Sequence, residues 1–485
     1  MLIAKIIRPV QSVSIILLVA GLVSCRESKR EQTHLSLHPE NPHYFLFKGK
    51  PLILIGSTEH YGAVMNLDFD YVKYLDETAS SGLNVTRTFS GVYVEPEGAF
   101  AIIKNTMAPA PERYICPWAR SSDPGYTHGG NKFDLSKWDE QYFLRLKNYL
   151  TEASKRNIIV ELDLFSNYYE TLQWKMSPLY IGNNVNGIGN IEDHKEILSL
   201  RHPEILDIQE KMVRKIVNEL HDFDNLYYEV CNEPYFGDTL ALAEWEKIMT
   251  GVVADAEKGF SQKHLISNNI ANNFKLVTEN REGVSIYNFH YARPPVTVAM
   301  NYHLNKVIGD NETGFDGTEV NKYRVEAWDF ILAGGGLFNN LDYSFTTDNE
   351  DGSFTVKAGE PGSGGKILRN QFKIMADFMK SIDFINMEPL NPDKVRIKET
   401  EDLKVQALSK DVELFAMYLH KKDTVSSRSA FEIDLPPGSY SLTWIDTKTG
   451  GKNIKDLRDH PGGWAIINSI GFSEDIALKL IKISN

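Results

Sequence analysis

Eight short apolar segments, alternating with stretches of helical periodicity, constrain the fold of this chain more than any other feature. They read LILIGS, LNVTRTFS, IIVELDLF, LYYEVCNEP, HLISNNI, VSIYNFHY, KVIGDNE and GLFNNLDYSF. Their lengths and their β-branched and aromatic content predict buried strands. Helical periodicity occupies Leu67 to Ser80, Ser136 to Arg156, Pro203 to His221, Thr239 to Glu257, Pro294 to Leu304, Glu319 to Leu332 and Lys366 to Ile382. Ser136 followed by Asp139 resembles a capping box, and Trp138, Tyr142, Leu146 and Leu150 fall on one helical face. Asn272 to Glu282 is poorly periodic and predicts at most a short helix. Alternation of strand and helix favours a parallel α/β architecture, and eight is the number that closes a (β/α)8 barrel. An open doubly wound sheet is the alternative.

Two connections are too long for plain strand-to-helix loops, residues 91–135 and 166–202. Both follow strand C-termini, where barrels carry their sites, so both are expected to shape a cleft. Beyond the last helical stretch the pattern changes to VRIKE, VQALS, ELFAMYLH, AFEIDLPPGSYSLTWIDTKTGG, WAIIN and IALKLIKI, which predicts a small antiparallel β-sandwich of immunoglobulin-like kind. The expected organisation is a leader over 1–25, a tether over 26–42, a barrel over 43–386 and a sandwich over 387–485.

The fourth segment ends in Asn232 and Glu233, and the seventh ends in Glu312. Strands four and seven face each other across a barrel mouth, so these two carboxylates would meet there. Cleavage of a glycoside with retention needs such a pair: an acid/base, Glu233, and a nucleophile, Glu312. Taken singly, either glutamate reads as solvated loop surface; the joint placement carries the chemistry.

With these motifs the chain resembles the clan A glycoside hydrolases, retaining barrel enzymes whose acid/base follows an Asn after strand four and whose nucleophile ends strand seven. The resemblance covers residues 45 to about 385. It implies that Asn232 binds the hydroxyl beside the anomeric carbon, that Arg87 and Tyr291 keep Glu312 ionised, and that His290 stands near the same carboxylate. It also implies a Glu233 pKa raised to about 6–7, so that the acid enters the cycle protonated. Many clan members end strand eight with a tryptophan beneath the cleaved sugar; GLFNNLDYSF has none, and Asn340, Tyr343 or Phe345 would take its place. The implied activity is hydrolysis of a β-linked polysaccharide, with endo-acting β-1,3-glucanase the first expectation. Mannan, galactan and exo-acting alternatives fit the same motifs, as does a glycan-binding lipoprotein without turnover.

His60, just after the first strand, is a candidate for a sugar hydroxyl or a packed structural histidine. Phe89, Tyr93, Trp118, Tyr126, Trp174 and Tyr235 lie where aromatic faces could stack on pyranose rings or simply pack the long loops. Trp444 and Trp464 could give the C-terminal region a glycan platform, against the simpler reading of a buttress. Asp348, Glu350 and Asp351 could hold calcium, but a polar hairpin with an Asp-Gly turn is the simpler reading. His/Cys metal spacing, a phosphate-cradling glycine loop and a Gly-x-Ser-x-Gly elbow are absent from the sequence, so neither metal nor cofactor is expected.

The first residues carry Lys5 and Arg8 and then an apolar stretch from Val13 to Val23, short for a membrane span. The stretch ends in Leu22, Val23, Ser24 and Cys25, which resembles a lipobox and predicts lipid attachment at Cys25, with the protein held at the cell envelope, on the outer membrane, the cell surface or in the periplasm. The other two cysteines, Cys116 and Cys231, could pair in an oxidising compartment or remain buried thiols. A net charge of -13 argues against a nucleic-acid partner and is indifferent to a neutral glycan. A monomer is expected.

Overall fold

A computed structural model describes residues 33–235, 237–362, 364–391, 396–399, 403–421 and 429–483. The expected leader, Cys25 and the first part of the tether lie outside the described residues.

Eight strands, β1 (Leu54–Thr58), β2 (Val85–Phe89), β3 (Ile159–Ser166), β4 (Leu226–Asn232), β5 (Leu265–Asn272), β6 (Ile286–His290), β7 (Val307–Glu312) and β8 (Leu337–Leu341), form one sheet. They run β1, β8, β7, β6, β5, β4, β3, β2, every neighbouring pair parallel. A doubly wound sheet would reverse its order midway, and this one does not. The ends of the series meet through Asn84. Its backbone N–H donates to the Ile55 carbonyl at 3.1 Å, its Oδ1 accepts from the Ile55 N–H at 2.8 Å and its Nδ2 donates to the Ile53 carbonyl at 2.8 Å. The result is a nearly closed parallel barrel. Gly56 is required at this seam, since a Cβ there would stand 2.4 Å from Asn339 Oδ1 and 2.8 Å from Val85 Cγ1.

Seven helices follow the expected stretches: α1 (Tyr71–Ser80), α2 (Glu140–Lys155), α3 (Pro203–Leu220), α4 (Thr239–Ala256), α5 (Val296–Asn301), α6 (Val320–Leu332) and α7 (Gly365–Lys380). Asp70, Asp139 and Asp238 cap α1, α2 and α4 by accepting two backbone N–H groups each. The cap of α2 is therefore Asp139 and not Ser136, which lies in a strand. The strand belongs to an antiparallel ribbon, Trp118–Pro124 with Asn131–Trp138, that the 91–135 connection builds beside the barrel. Residues 273–282 hold no helix. Cys116 and Cys231 are free and buried.

Antiparallel sheets follow. Leu403–Lys410, Leu414–Lys421, Asp475–Ile483, Gly438–Ile445 and Lys452–His460 lie in one, and Ile397–Lys398, Ala430–Leu435 and Gly463–Asn468 in the other. Phe415, Met417 and Leu478 of the first share an apolar cluster with Phe431, Ile433 and Ile467 of the second. Trp444 is fully buried in that cluster, so it forms no platform; Trp464 is partly exposed, beneath Lys398 at 4.0 Å. Against the barrel, Trp328 of α6 stacks on Tyr418 at 5.4 Å, and buried Arg324 meets Asp475 at 2.7 Å.

Candidate active site

The strand ends place the site. Glu233 follows the last residue of β4 and Glu312 is the last of β7. Glu233 has φ 49°, and Tyr61 and Tyr291, also just beyond strand ends, have φ 59° and 53°. Left-handed backbone at three non-glycine residues is strain that turns side chains off the strands and into the mouth. Carboxylate oxygens of Glu233 and Glu312 and a ring nitrogen of His290 all lie within 4.8 Å of one another.

Three donors converge on Glu312. Tyr61 Oη and Arg87 Nη1 donate to Oε2 at 2.9 and 3.0 Å, and Tyr291 Oη donates to Oε1 at 2.9 Å. Arg87 is buried and serves more than Glu312. It reaches Glu161 Oε1 at 2.9 Å, Asp163 Oδ1 at 2.7 Å, Glu229 Oε1 at 2.7 Å and Asn232 Oδ1 at 2.8 Å. One guanidinium cannot neutralise so many carboxyls. Burial first, and then the neighbouring Glu229 charge, push Glu161 up to about 7; burial likewise holds Asp163 well above the usual carboxylate range. These three carboxyls lie close enough together to hold a metal ion, but Arg87 already occupies their centre as the cation.

Around Glu233 the donors are His290 Nδ1 at 3.0 Å from Oε1, Tyr169 Oη at 2.6 Å from Oε2 and Tyr235 Oη at 2.9 Å from Oε1. Burial raises the carboxyl, but the bonds from His290, Tyr169 and Tyr235 outweigh it, and the net shift is downward. The expected upward shift of Glu233 is thus corrected. Burial lowers the His290 imidazole, and the charges of Glu312 and Glu233 more than reverse that. Both shifts favour a proton on the imidazole over one on the carboxyl. His290 also stands nearer Glu233 than Glu312, at 3.0 against 3.5 Å, whereas the resemblance put it beside the nucleophile.

A pocket of about 350 Å³ opens above the carboxylates. Of the residues expected from the sequence, it brings together Glu233, Glu312, Asn232, Tyr291, His60, Phe89 and Tyr93. Arg87, His290 and Tyr235 support it through the bonds given above. Trp118 and Trp174 are core residues: Trp118 stacks on Trp138 at 6.3 Å, and Trp174 donates to the Ile191 carbonyl at 3.0 Å. Tyr126 is buried and donates to the Met176 carbonyl at 2.8 Å. None of the described residues after β8 lines the pocket. Asn340 and Phe345 are buried, and Tyr343 packs behind His60 and Phe315 at 5.6 and 5.7 Å between ring centres.

No family model matches the chain, and no curated protein matches it. Solved structures do. A glycoside hydrolase of family 5 from Bacteroides vulgatus aligns over 93% of this chain and 93% of its own, with a TM-score of 0.62 and 12% identity. A second structure, described as a glycoside hydrolase, aligns over 94% of this chain and 98% of its own at the same TM-score and 13% identity. At such identities the likeness establishes the fold, and the chemistry rests on the site.

Sequence reasoning missed Tyr61, Glu95, Phe100, Met107, Tyr169, Asn272 and Phe315 among the lining residues, and Glu161, Asp163 and Glu229 beneath them. The last three left a readable signal: acidic residues inside the apolar runs IIVELDLF and LYYEVCNEP, where a buried charge needs a partner. Phe100 and Phe315 left none, because their positions depend on how long loops fold back.

Proposed function

We propose that the protein is a retaining glycoside hydrolase acting on a β-linked glycan. The observation that carries the reading is the convergence of Glu233 and Glu312 on one pocket, with an oxygen of each within 4.8 Å and His290 in contact with both. Retaining pairs stand about 5–5.5 Å apart and inverting pairs about 6.5–9.5 Å, the latter leaving room for a water. The likeness of fold to glycoside hydrolases supports it.

In the first step a Glu312 oxygen bonds to the anomeric carbon, the bond from that carbon to the leaving oxygen breaks, and Glu233 delivers a proton to that oxygen. His290 supplies the proton across the 3.0 Å contact. As Glu312 becomes an ester its negative charge disappears, and with it the largest of the influences that hold His290 protonated. The imidazole therefore releases its proton to Glu233 as the leaving group needs it. In the second step a water oxygen attacks the same carbon, the bond from that carbon to Glu312 breaks and restores its carboxylate, and the water's proton passes through Glu233 back to His290. Asn232 faces the pocket with its amide fixed by Arg87 at 2.8 Å and Tyr169 at 2.9 Å, ready for the hydroxyl beside the anomeric carbon.

The test is turnover of β-glucans, β-mannans, galactans and xylans by the purified chain beside Glu233→Ala and Glu312→Ala. β-Glucan heads the panel, since it is the expectation from sequence; no lining residue distinguishes the linkages. Cleavage lost in both variants, with azide partly rescuing Glu312→Ala, is the expected result. A glycan bound equally by all three proteins and cleaved by none would replace the hydrolase with a binding protein. The same proposal places the chain at the cell envelope through lipid on Cys25, and Cys25→Ser should release it from the membrane fraction.

A further inference from the structure

The pocket has a roof and a wall that the hydrolytic step does not use. The roof is made by Phe100 and Phe315, both about 40% exposed and in edge contact with ring centres 6.4 Å apart. Phe100 also meets the Tyr169 ring at 5.4 Å, and Phe315 meets Tyr291 at 6.4 Å. Tyr169 bonds Glu233 and Tyr291 bonds Glu312, so four aromatic rings form a continuous strap from one catalytic glutamate's support to the other's. The segment carrying Phe100 is held in an unfavourable backbone: Phe100 and Ala101 have φ 54° and 61°, two residues after Gly98 at 77°. Two successive non-glycine residues in this region are strained, as expected where a loop must hold a side chain over a ligand.

The wall is polar. Buried Glu95 accepts from His60 Nε2 at 3.0 Å, from Tyr93 Oη at 3.2 Å and from Asn105 Nδ2. His60 lines the pocket and is only 7% exposed, yet its Nδ1 is buried without a hydrogen-bond partner among the described residues. With Nε2 committed to Glu95, Nδ1 is a buried polar atom that a hydroxyl of a bound ligand can satisfy. The His60 ring stacks on Tyr61 at 5.5 Å, and Tyr61 donates to Glu312, which puts His60 on the Glu312 side of the pocket, whereas Tyr235 and Asn272 stand beside Glu233.

We infer that the pocket is blind on the nucleophile's side and accepts the terminal sugar of a chain. His60, backed by Glu95, takes a hydroxyl of that last ring, Phe315, in ring contact with Tyr291 at 6.4 Å and Tyr343 at 5.7 Å on the Glu312 side, blocks a further ring, and the remaining chain leaves past Glu233. The enzyme then acts from a chain end and releases single sugars, in place of the endo-acting mode expected from sequence. A pocket of about 350 Å³ suits this: it lies near the lower end of the roughly 300–1,000 Å³ of small-molecule sites. The inference rests on the hydrolase reading above.

The experiment follows early products from borohydride-reduced oligosaccharides of glucan, mannan, galactan and xylan, together with hydrolysis of the 4-nitrophenyl β-monosides of glucose, mannose, galactose and xylose. Labelling of Glu312 by the corresponding 2-deoxy-2-fluoro glycosides is measured in parallel. Monosaccharide as the only early product and turnover of one monoside are expected. Phe100→Ala combined with Phe315→Ala should begin to release disaccharide and longer products. His60→Gln should raise KM for the monoside about tenfold, the loss of one buried hydrogen bond, with a smaller change in kcat. Early oligosaccharides from the wild type, with Glu312 labelled, would overturn the blind pocket alone. Monosaccharide alone from both the wild type and the double variant would overturn the strap, and an unchanged KM in His60→Gln would overturn the hydroxyl site. Neither turnover nor Glu312 labelling would sink the hydrolase reading and this inference together.

Discussion

Replacing Arg87 by Met keeps much of the side chain's volume and removes the one cation that four buried carboxyls share. Glu161, Asp163, Glu229 and Glu312 all have an oxygen 2.7–3.0 Å from its guanidinium. Breaking a buried ion pair from one side costs about 3–5 kcal/mol, because the remaining charge is left uncompensated. That cost applies while the carboxyls are ionised. Glu161 is already raised to about 7 in the native protein, and Asp163 is raised too, so acidification neutralises them without disturbing the fold. Arg87→Met should therefore lose about 3–5 kcal/mol at pH 8. At pH 5.5 the loss should shrink to about 1–2 kcal/mol, the scale of ordinary hydrogen bonds. Urea unfolding followed by tryptophan fluorescence at the two pH values measures the difference. A loss that is equal at both pH values, or under about 1 kcal/mol at pH 8, would refute the picture of a shared cation.

Tyr61→Phe and Tyr291→Phe each remove one hydrogen bond to Glu312 of 2.9 Å. Such bonds to a charged group are worth about 1.5–3 kcal/mol, so each variant should lose about 10- to 100-fold in kcat, and unchanged kinetics would show that neither hydroxyl supports the nucleophile. Burial first raises Glu59, Glu161, Glu246 and Glu326 to about 7. A raised carboxyl stabilises the fold fully below its unfolded value, near 4.5, and loses that contribution as pH rises through about 7. The raised imidazoles of His60 and His290 have the same sign, while His34, His43 and His194, lowered by burial, have the opposite one and are fewer than the raised groups. Thermal midpoints should accordingly fall between pH 5 and pH 8, and a rise across that interval would contradict the assignment. Tyr418→Ala removes the ring stacked on Trp328 and the hydroxyl bond to Asp475 at 2.9 Å. It should cost about 3–5 kcal/mol in thermal or urea unfolding, and a loss below about 1 kcal/mol would mean that the C-terminal sheets do not buttress the barrel there.

The architecture was legible because it rests on local patterns. Eight apolar runs became eight parallel strands, and helical periodicity located the helices to within a few residues, since both follow from side chains three to four or two positions apart. Ser136 shows the limit: the capping pattern was present, but pairing in a ribbon claimed the residue for a strand and left the cap to Asp139. At the site, Glu233 and Glu312 were readable because each follows an apolar run and the barrel brings such ends together. Trp118 and Trp174 misled, because a loop aromatic in sequence does not say whether it faces the cleft or the core.

By itself, then, the sequence determined a parallel barrel, the strand ends that carry Glu233 and Glu312, and an arginine near them. Only the tertiary structure decided which charges sit together. Arg87, Glu161, Asp163, Glu229, His290, Tyr61 and Tyr169 come from five separate strands or the residues just after them, and their contacts of 2.6–3.5 Å exist only once the barrel closes. The shifts of Glu233 and His290 depend on those distances. Electrostatics in a buried site falls off over a few ångströms, and no spacing along the chain encodes that proximity.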